Sequence, residues 1–157
     1  MKKVRPYIIL FSFLILLAYY FWPEKKLIEG QKIDKIIVFK REHLLKVYYK
    51  ENELASYSIS LSKKGLAKRT KQGDNLTPEG TFKLQKMSRS NYHRALGIGK
   101  WETCCGVRIH GSKNGLSFCG KFHRWIDWTE GCIALTNDEI DEIYAGITSN
   151  AVIIIYP

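Results

Sequence analysis

The stretch Asp127-Trp128-Thr129-Glu130-Gly131-Cys132-Ile133-Ala134-Leu135-Thr136-Asn137-Asp138-Glu139-Ile140 decides how the chain is read. Gly131 lets backbone approach closely, and Cys132 to Leu135 is a short apolar run that predicts a strand. Thr136 with Glu139 three residues on predicts a capping box, and Ile140, Ile143, Tyr144 and Ile147 give the next helix its apolar stripe. Cys132 thus stands between a flexible loop and a rigid run, where a side chain is well presented. A thiolate is the strongest nucleophile available to a protein, and it needs an imidazole or a helix N-terminus nearby to form. Cys132 is the candidate nucleophile, with a buried structural cysteine as the alternative.

All four histidines, His43, His93, His110 and His123, precede Cys132, which excludes a papain-like order of cysteine then histidine. No arginine follows Cys132, the last being Arg124, so a sortase-like order of His, Cys and Arg fails too. His110 ends a predicted strand over 107–110, immediately before Gly111, and is the favoured base. His43 falls inside a predicted strand pair and reads as a surface residue. Further out, 33–40, 44–49 and 54–61 are rich in Ile, Val, Leu and Tyr and predict strands, the last two joined as a hairpin. Gly73-Asp74-Asn75 marks a loop, Thr77-Pro78-Glu79-Gly80 a type I turn, and 81–85 a further strand. Residues 151–156 form an apolar strand expected near the middle of the sheet. The long loop between His110 and Cys132 carries Lys113, Lys121, Phe122, Trp125 and Trp128, and a loop of that length is usually functional. Together these features predict a mainly β domain with one clear helix.

A length of 157 residues, with 45% hydrophobic and 4 Pro, fits one folded domain and excludes disorder and collagen-like repeats. Four cysteines are too few for a disulfide scaffold. The net charge of +10 is partly a topology signal, because Lys2, Lys3 and Arg5 precede the apolar run from Tyr7 to Trp22. Beyond residue 26 there remain 20 basic and 14 acidic residues, a net of +6, which weakens a nucleic-acid reading. A helix over 7–22 covers roughly 24 Å against a hydrocarbon core of about 30 Å, and Val4, Pro6 and snorkelling lysines extend it. Tyr19, Tyr20 and Trp22 cluster at the headgroup end, and the cations at the other end favour a cytoplasmic N-terminus. Ala18-Tyr19-Tyr20-Phe21-Trp22 offers no small-residue cleavage site, so the expectation is an uncleaved signal anchor, not a removed signal peptide. The expected organisation is an anchor over 1–26 with a transmembrane helix at about 7–22, a linker over 27–32 and a catalytic domain over 33–157.

Ile109-His110-Gly111 followed by Asp127 to Leu135 resembles the signature of the L,D-transpeptidase catalytic domain, the YkuD-type family. Gly73-Asp74 and Thr77-Pro78-Glu79-Gly80-Thr81-Phe82 resemble its upstream loop and strand, and Ser90-Asn91-Tyr92-His93-Arg94-Ala95-Leu96 a segment of its peptidoglycan-active members. The resemblance spans about 33–156 and implies a β-sandwich catalytic fold. It implies Cys132 as nucleophile, His110 as base, the Gly111 carbonyl orienting the imidazole, and N–H groups at Gly131 and Cys132 as oxyanion donors. By the resemblance Tyr92 and His93 line the donor pocket; Trp125 and Trp128 are the candidates to wall it, with Trp128 as a core residue the alternative, and Arg94 is a further substrate-binding candidate. Many members carry His where this chain has Glu130, which bears on substrate preference more than on acyl chemistry.

The implied reaction is thioester-mediated cross-linking of peptidoglycan stem peptides without cofactor or metal, in a single-pass inner-membrane protein whose domain faces the periplasm. Hydrolysis of the same bonds, as an L,D-carboxypeptidase or amidase, is the alternative, and a membrane-tethered wall-binding module is the non-enzymatic one. Lys113, Lys121, Arg124, Arg89 and Arg94 are further candidates for contacting acidic substrate. A zinc site using Cys104, Cys105, Cys119, His110 or His123 is disfavoured, since adjacent cysteines do not both meet one tetrahedral ion easily and no Cys-x-x-Cys occurs. If Cys132 is reduced, the expected bridge joins Cys105, or else Cys104, to Cys119 and holds the loop after His110.

Overall fold

The computed structural model describes residues 5–22, 27–88, 91–99, 106–115 and 117–157. Helix α1 spans Arg5–Phe21, and eight strands follow: β1 Ile33–Phe39, β2 Leu44–Tyr49, β3 Asn52–Ser58, β4 Gly80–Lys86, β5 Ala95–Ile98, β6 Arg108–His110, β7 Ile133–Ala134 and β8 Ile147–Tyr156. A 3-10 helical segment covers Ser117–Trp125, kinked at Gly120 (φ 46°), and helix α2 covers Asn137–Gly146.

The strands form one sheet in the order β3-β2-β1-β8-β4-β5-β6-β7. Alternation buries Ile36, Val38, Leu45, Val47, Ile153 and Ile155 on the inner face, the period-2 pattern of half-buried strands. β8 lies between β1, which it meets in parallel, and β4, which it meets antiparallel. The expected central position is therefore observed. β4 serves two halves, since Gly80 to Lys83 face β8 whereas Leu84 to Lys86 face β5. Beyond β3, Ser60 bridges Ala134 and Ser62 bridges Thr129, which brings the two ends of the strand order together. The expected β-sandwich is corrected accordingly: the architecture is a single curled sheet, because β4 continues from one half into the other.

Among the described residues a 3-10 segment accompanies the one clear helix that was expected after residue 136. The helix foreseen from residue 136 is α2, and its capping box is complete: the Thr136 side chain accepts from the Glu139 N–H and the Glu139 carboxylate accepts from the Thr136 N–H. The expected type I turn over 77–80 is absent. Residues 75–79 carry no turn, and Gly80 enters β4 directly with φ of 123°.

The expected apolar N-terminal helix is present as α1, 17 residues or about 25 Å long, and it exposes apolar side chains from Tyr7 to Leu17. Among the described residues no helix is long and apolar enough to cross a membrane, so the transmembrane span over 7–22 is not supported. The last turn of α1 packs on the 3-10 segment instead. Tyr19 lies 6.0 Å from Phe122 and 5.6 Å from Trp125 between ring centroids, and Tyr20 lies 5.5 Å from Phe122.

Candidate active site

Two neighbouring parallel strands bring the candidate nucleophile and base together. Ile109 pairs with Ile133 and His110 with Ala134, so Cys132, one residue before β7, lies across from Arg108. The Cys132 thiol donates to the Gly106 carbonyl, with Sγ···O at 4.0 Å. Burial pushes the thiol above its ordinary range; the Arg108 N–H and the charges of Arg108 and Arg69 pull it down without cancelling that effect.

His110 is fully buried. Its Nδ1 lies 2.7 Å from the Gly111 carbonyl, which can only accept, so Nδ1 carries the proton and Nε2 keeps its lone pair. Nε2 is buried without a hydrogen-bond partner. Burial lowers the imidazole to about 4; the Gly111 bond opposes this, and the Arg108 charge adds to it. At rest the thiol and the imidazole are both neutral and no hydrogen bond joins them; the free Nε2 is an acceptor, the state a general base needs. Tyr92 stacks on the imidazole at 3.7 Å between centroids and 20° between planes, and Trp128 meets it edge-on at 5.7 Å.

The loops are fixed by glycines with no room for a side chain. A Cβ on Gly111 would lie 2.6 Å from Asn137 Oδ1 and 3.0 Å from Ile140 Cγ2. The same Asn137 oxygen accepts from the Ser112 N–H at 2.9 Å, so the start of α2 holds the turn that orients His110. Gly131 has φ of 99°, and a Cβ there would lie 2.9 Å from the Leu76 carbonyl oxygen. Leu76 is in turn held by Asp74, whose carboxylate accepts from the N–H groups of Leu76, Thr70 and Lys71. Against a desolvation that would raise it, those N–H groups and Arg69 lower the Asp74 carboxyl to about 2. Thr129 exchanges backbone bonds with Leu61 and Lys63 and donates its hydroxyl to the Cys132 carbonyl at 2.7 Å. Asp127 accepts from the Leu61 N–H at 2.7 Å and pairs with His43 at 2.9 Å. His43, expected at the surface, is half-buried and helps hold the loop that leads to Cys132.

Tyr92, His110, Gly111, Trp128, Gly131 and Cys132 therefore gather around one site. His93 and Arg94 adjoin it through backbone bonds to Ser112 and Gly111, while their side chains pair with Asp141 on α2, His93 at 2.8 Å, and line a cavity of about 320 Å³ with Tyr92 and Tyr144. Glu130 is exposed and pairs with Lys63 at 2.9 Å, which lowers its carboxyl. Lys121 donates to the Trp22 carbonyl and Arg124 to Glu139, while Lys113 remains exposed. Arg89, Cys104 and Cys105 lie outside the described residues; Cys119 is a free thiol, so the expected bridge to it is not made. Among the described residues no group of three or more His, Cys, Asp or Glu is placed to hold a metal ion.

Two participants were missed. Arg108 stands two residues before His110 and hence on the same strand face, a signal present in the sequence. In the sequence His123 stands out only as one of four histidines before Cys132 and as a possible zinc ligand. It lies against Ser60, 63 positions away, and lines a cavity of about 330 Å³ with Ser112, Lys113, Phe122, Ile126 and Trp128.

His110 at the end of β6 and Cys132 just before its parallel neighbour β7 thus stand at one end of the curled sheet's strand order, and residues 33–155 match the L,D-transpeptidase catalytic domain. The chain belongs to that family. It is 31% identical over 128 residues to YafK of Escherichia coli (strain K12), whose name places it in the same family, covering 72% of this chain and 46% of YafK. The chain thus spans about half the length of the curated relatives it matches. Among solved structures it resembles the helical cell shape determining protein Pgp2 from Campylobacter jejuni, at 20% identity and TM-score 0.60 over 80% of this chain and 48% of Pgp2. It also resembles an L,D-transpeptidase from Mycobacterium smegmatis, at 17% identity and TM-score 0.57 over 78% and 58% of the two chains. These structural likenesses show the fold.

Proposed function

We propose that the chain is a cysteine-dependent L,D-transpeptidase acting on peptidoglycan stem peptides. The observation that carries this reading is the His110 imidazole, fixed through Nδ1 by Gly111 and left with a bare Nε2 on the strand beside Cys132. In the proposed reaction Nε2 takes the thiol proton as sulfur attacks the carbonyl carbon before the terminal D-residue of a tetrapeptide stem. The Gly131 and Cys132 N–H groups receive the developing oxyanion. Collapse breaks the C–N bond, the imidazolium returns its proton to the departing D-alanine amine, and a thioester remains. An amine of a second stem, in this family commonly the meso-diaminopimelate side chain, attacks the thioester, His110 takes its proton, and the sulfur leaves as thiol. With water as acceptor the same steps give a carboxypeptidase or amidase.

The proposed location is the inner membrane, with α1 as the holding element and the domain on the periplasmic side. The exposed apolar side chains of α1 from Tyr7 to Leu17 support this reading, since such a surface is stable only when covered. A part in cell-wall assembly and cell shape follows from the same proposal. The test is to incubate the full chain with a defined muropeptide tetrapeptide and read products by mass. Loss of D-alanine with a dimer supports the transpeptidase, loss with a free tripeptide the hydrolase. An unchanged tetrapeptide would leave the non-catalytic wall-binding module as the better account.

A further inference from the structure

We infer that His123 is a second substrate-binding imidazole of this site, which accepts a peptide N–H at Nε2 while Trp128 Nε1 donates to a carbonyl of the same bound peptide. The inference rests on the acyl-transfer reading above and names a part of its substrate site.

Hydrogen-bond logic fixes the His123 tautomer. The Ser60 hydroxyl donates its one proton to the His123 carbonyl, with Oγ···O at 2.6 Å. The same oxygen lies 3.2 Å from His123 Nδ1 and has only lone pairs left to offer, so Nδ1 carries the ring proton. Nε2 is then an acceptor, and it is buried without a partner. Trp128 Nε1, a donor only, is also buried without a partner. Leaving such groups unpaired is costly, and a site that binds their complement recovers the loss.

The two groups belong to one place. Trp128 meets His110 edge-on at 5.7 Å and His123 edge-on at 6.5 Å, so it adjoins both the proposed base and the second imidazole. Both Trp128 and His123 line the cavity of about 330 Å³, whose remaining wall is mainly apolar through Phe122 and Ile126. Lys113 stands exposed at its edge. One acceptor, one donor, an apolar wall and a cation match a short peptide with a small apolar side chain and a terminal carboxylate. Burial, with the charges of Arg124 and His110, lowers His123 to about 4, so its lone pair is available at neutral pH.

The test uses the full-length Cys132→Ala variant, which cannot turn over, and measures its calorimetric affinity for the stem tetrapeptide. Adding His123→Phe keeps an aromatic ring without the acceptor, and affinity is expected to fall about tenfold, the loss of one neutral hydrogen bond. His123→Gln, which restores an acceptor, is expected to bind within about threefold of the parent. Trp128→Phe is expected to lose about tenfold and provides the test should His123→Phe fail to fold. Unchanged affinity in His123→Phe, or in Trp128→Phe, overturns the inference, and continued D-alanine release by the unmutated chain then leaves the acyl-transfer reading standing. Absence of both tetrapeptide binding and D-alanine release overturns the two together.

Discussion

At the scale of single residues, burial sets the protonation of the site. With the Cys132 thiol held above its ordinary range, its alkylation rate is expected to keep rising beyond pH 9 and to be slow at neutral pH. A plateau near pH 7 in an iodoacetamide profile mapped to Cys132 would show a preformed thiolate instead. His110 and His123 are both lowered to about 4 from an ordinary 6.5. The unfolded chain therefore binds more protons between those values, so stability is full above about pH 6.5 and falls as pH drops toward 4. Urea midpoints should decline across that window, and less so in His123→Phe. Cys132→Ala and His110→Ala should each remove D-alanine release by a factor of about 10³ or more, without adding in the double variant. Glu130→His should retain acylation with altered acceptor use, because Glu130 is engaged by Lys63 at the surface; complete loss of acylation would assign it a catalytic role.

Among the elements, the start of α2 supports the turn after His110. Thr136→Ala removes half of the capping box and is expected to cost about 1 kcal/mol, readable as a lower urea midpoint. Gly111→Ala drives a methyl into Asn137 and Ile140 and should cost about 1–3 kcal/mol and most of the activity, since the turn that holds His110 must shift. Thr136 and Glu139 were legible in the sequence because a capping box is local. β2, the β2–β3 hairpin and the apolar β8 were legible for the same reason. β5, Ala95–Ile98, was not: a four-residue run containing Gly97 has no pattern of its own and is a strand only because β4 and β6 pair with it. β8 begins at Ile147, ahead of the expected residue 151: Ile147 pairs with Ile33, and the register then shifts to Lys35 with Val152 across the polar Thr148, Ser149 and Asn150, an irregularity no local pattern encodes. His110 and Cys132 were legible through chain order and motif, whereas His123 depended on Ser60, a contact no local pattern encodes.

For the whole molecule, the curl of the sheet brings the segment beyond β3 against the nucleophile loop, and α1 rests its aromatic end on the 3-10 segment that carries His123. If α1 holds the protein at the inner membrane, the native chain should keep its first residues and sediment with membranes. A processed N-terminus after residue 18 or later would contradict that. The central claim is covalent acyl transfer through Cys132, and intact-mass spectrometry of the full chain, quenched during turnover of the tetrapeptide, tests it most directly. The account predicts an adduct equal to the tripeptide acyl group, mapped to Cys132 and absent from Cys132→Ala. Undiminished D-alanine release by Cys132→Ala, with no adduct on Cys132 of the unmutated chain, would contradict it.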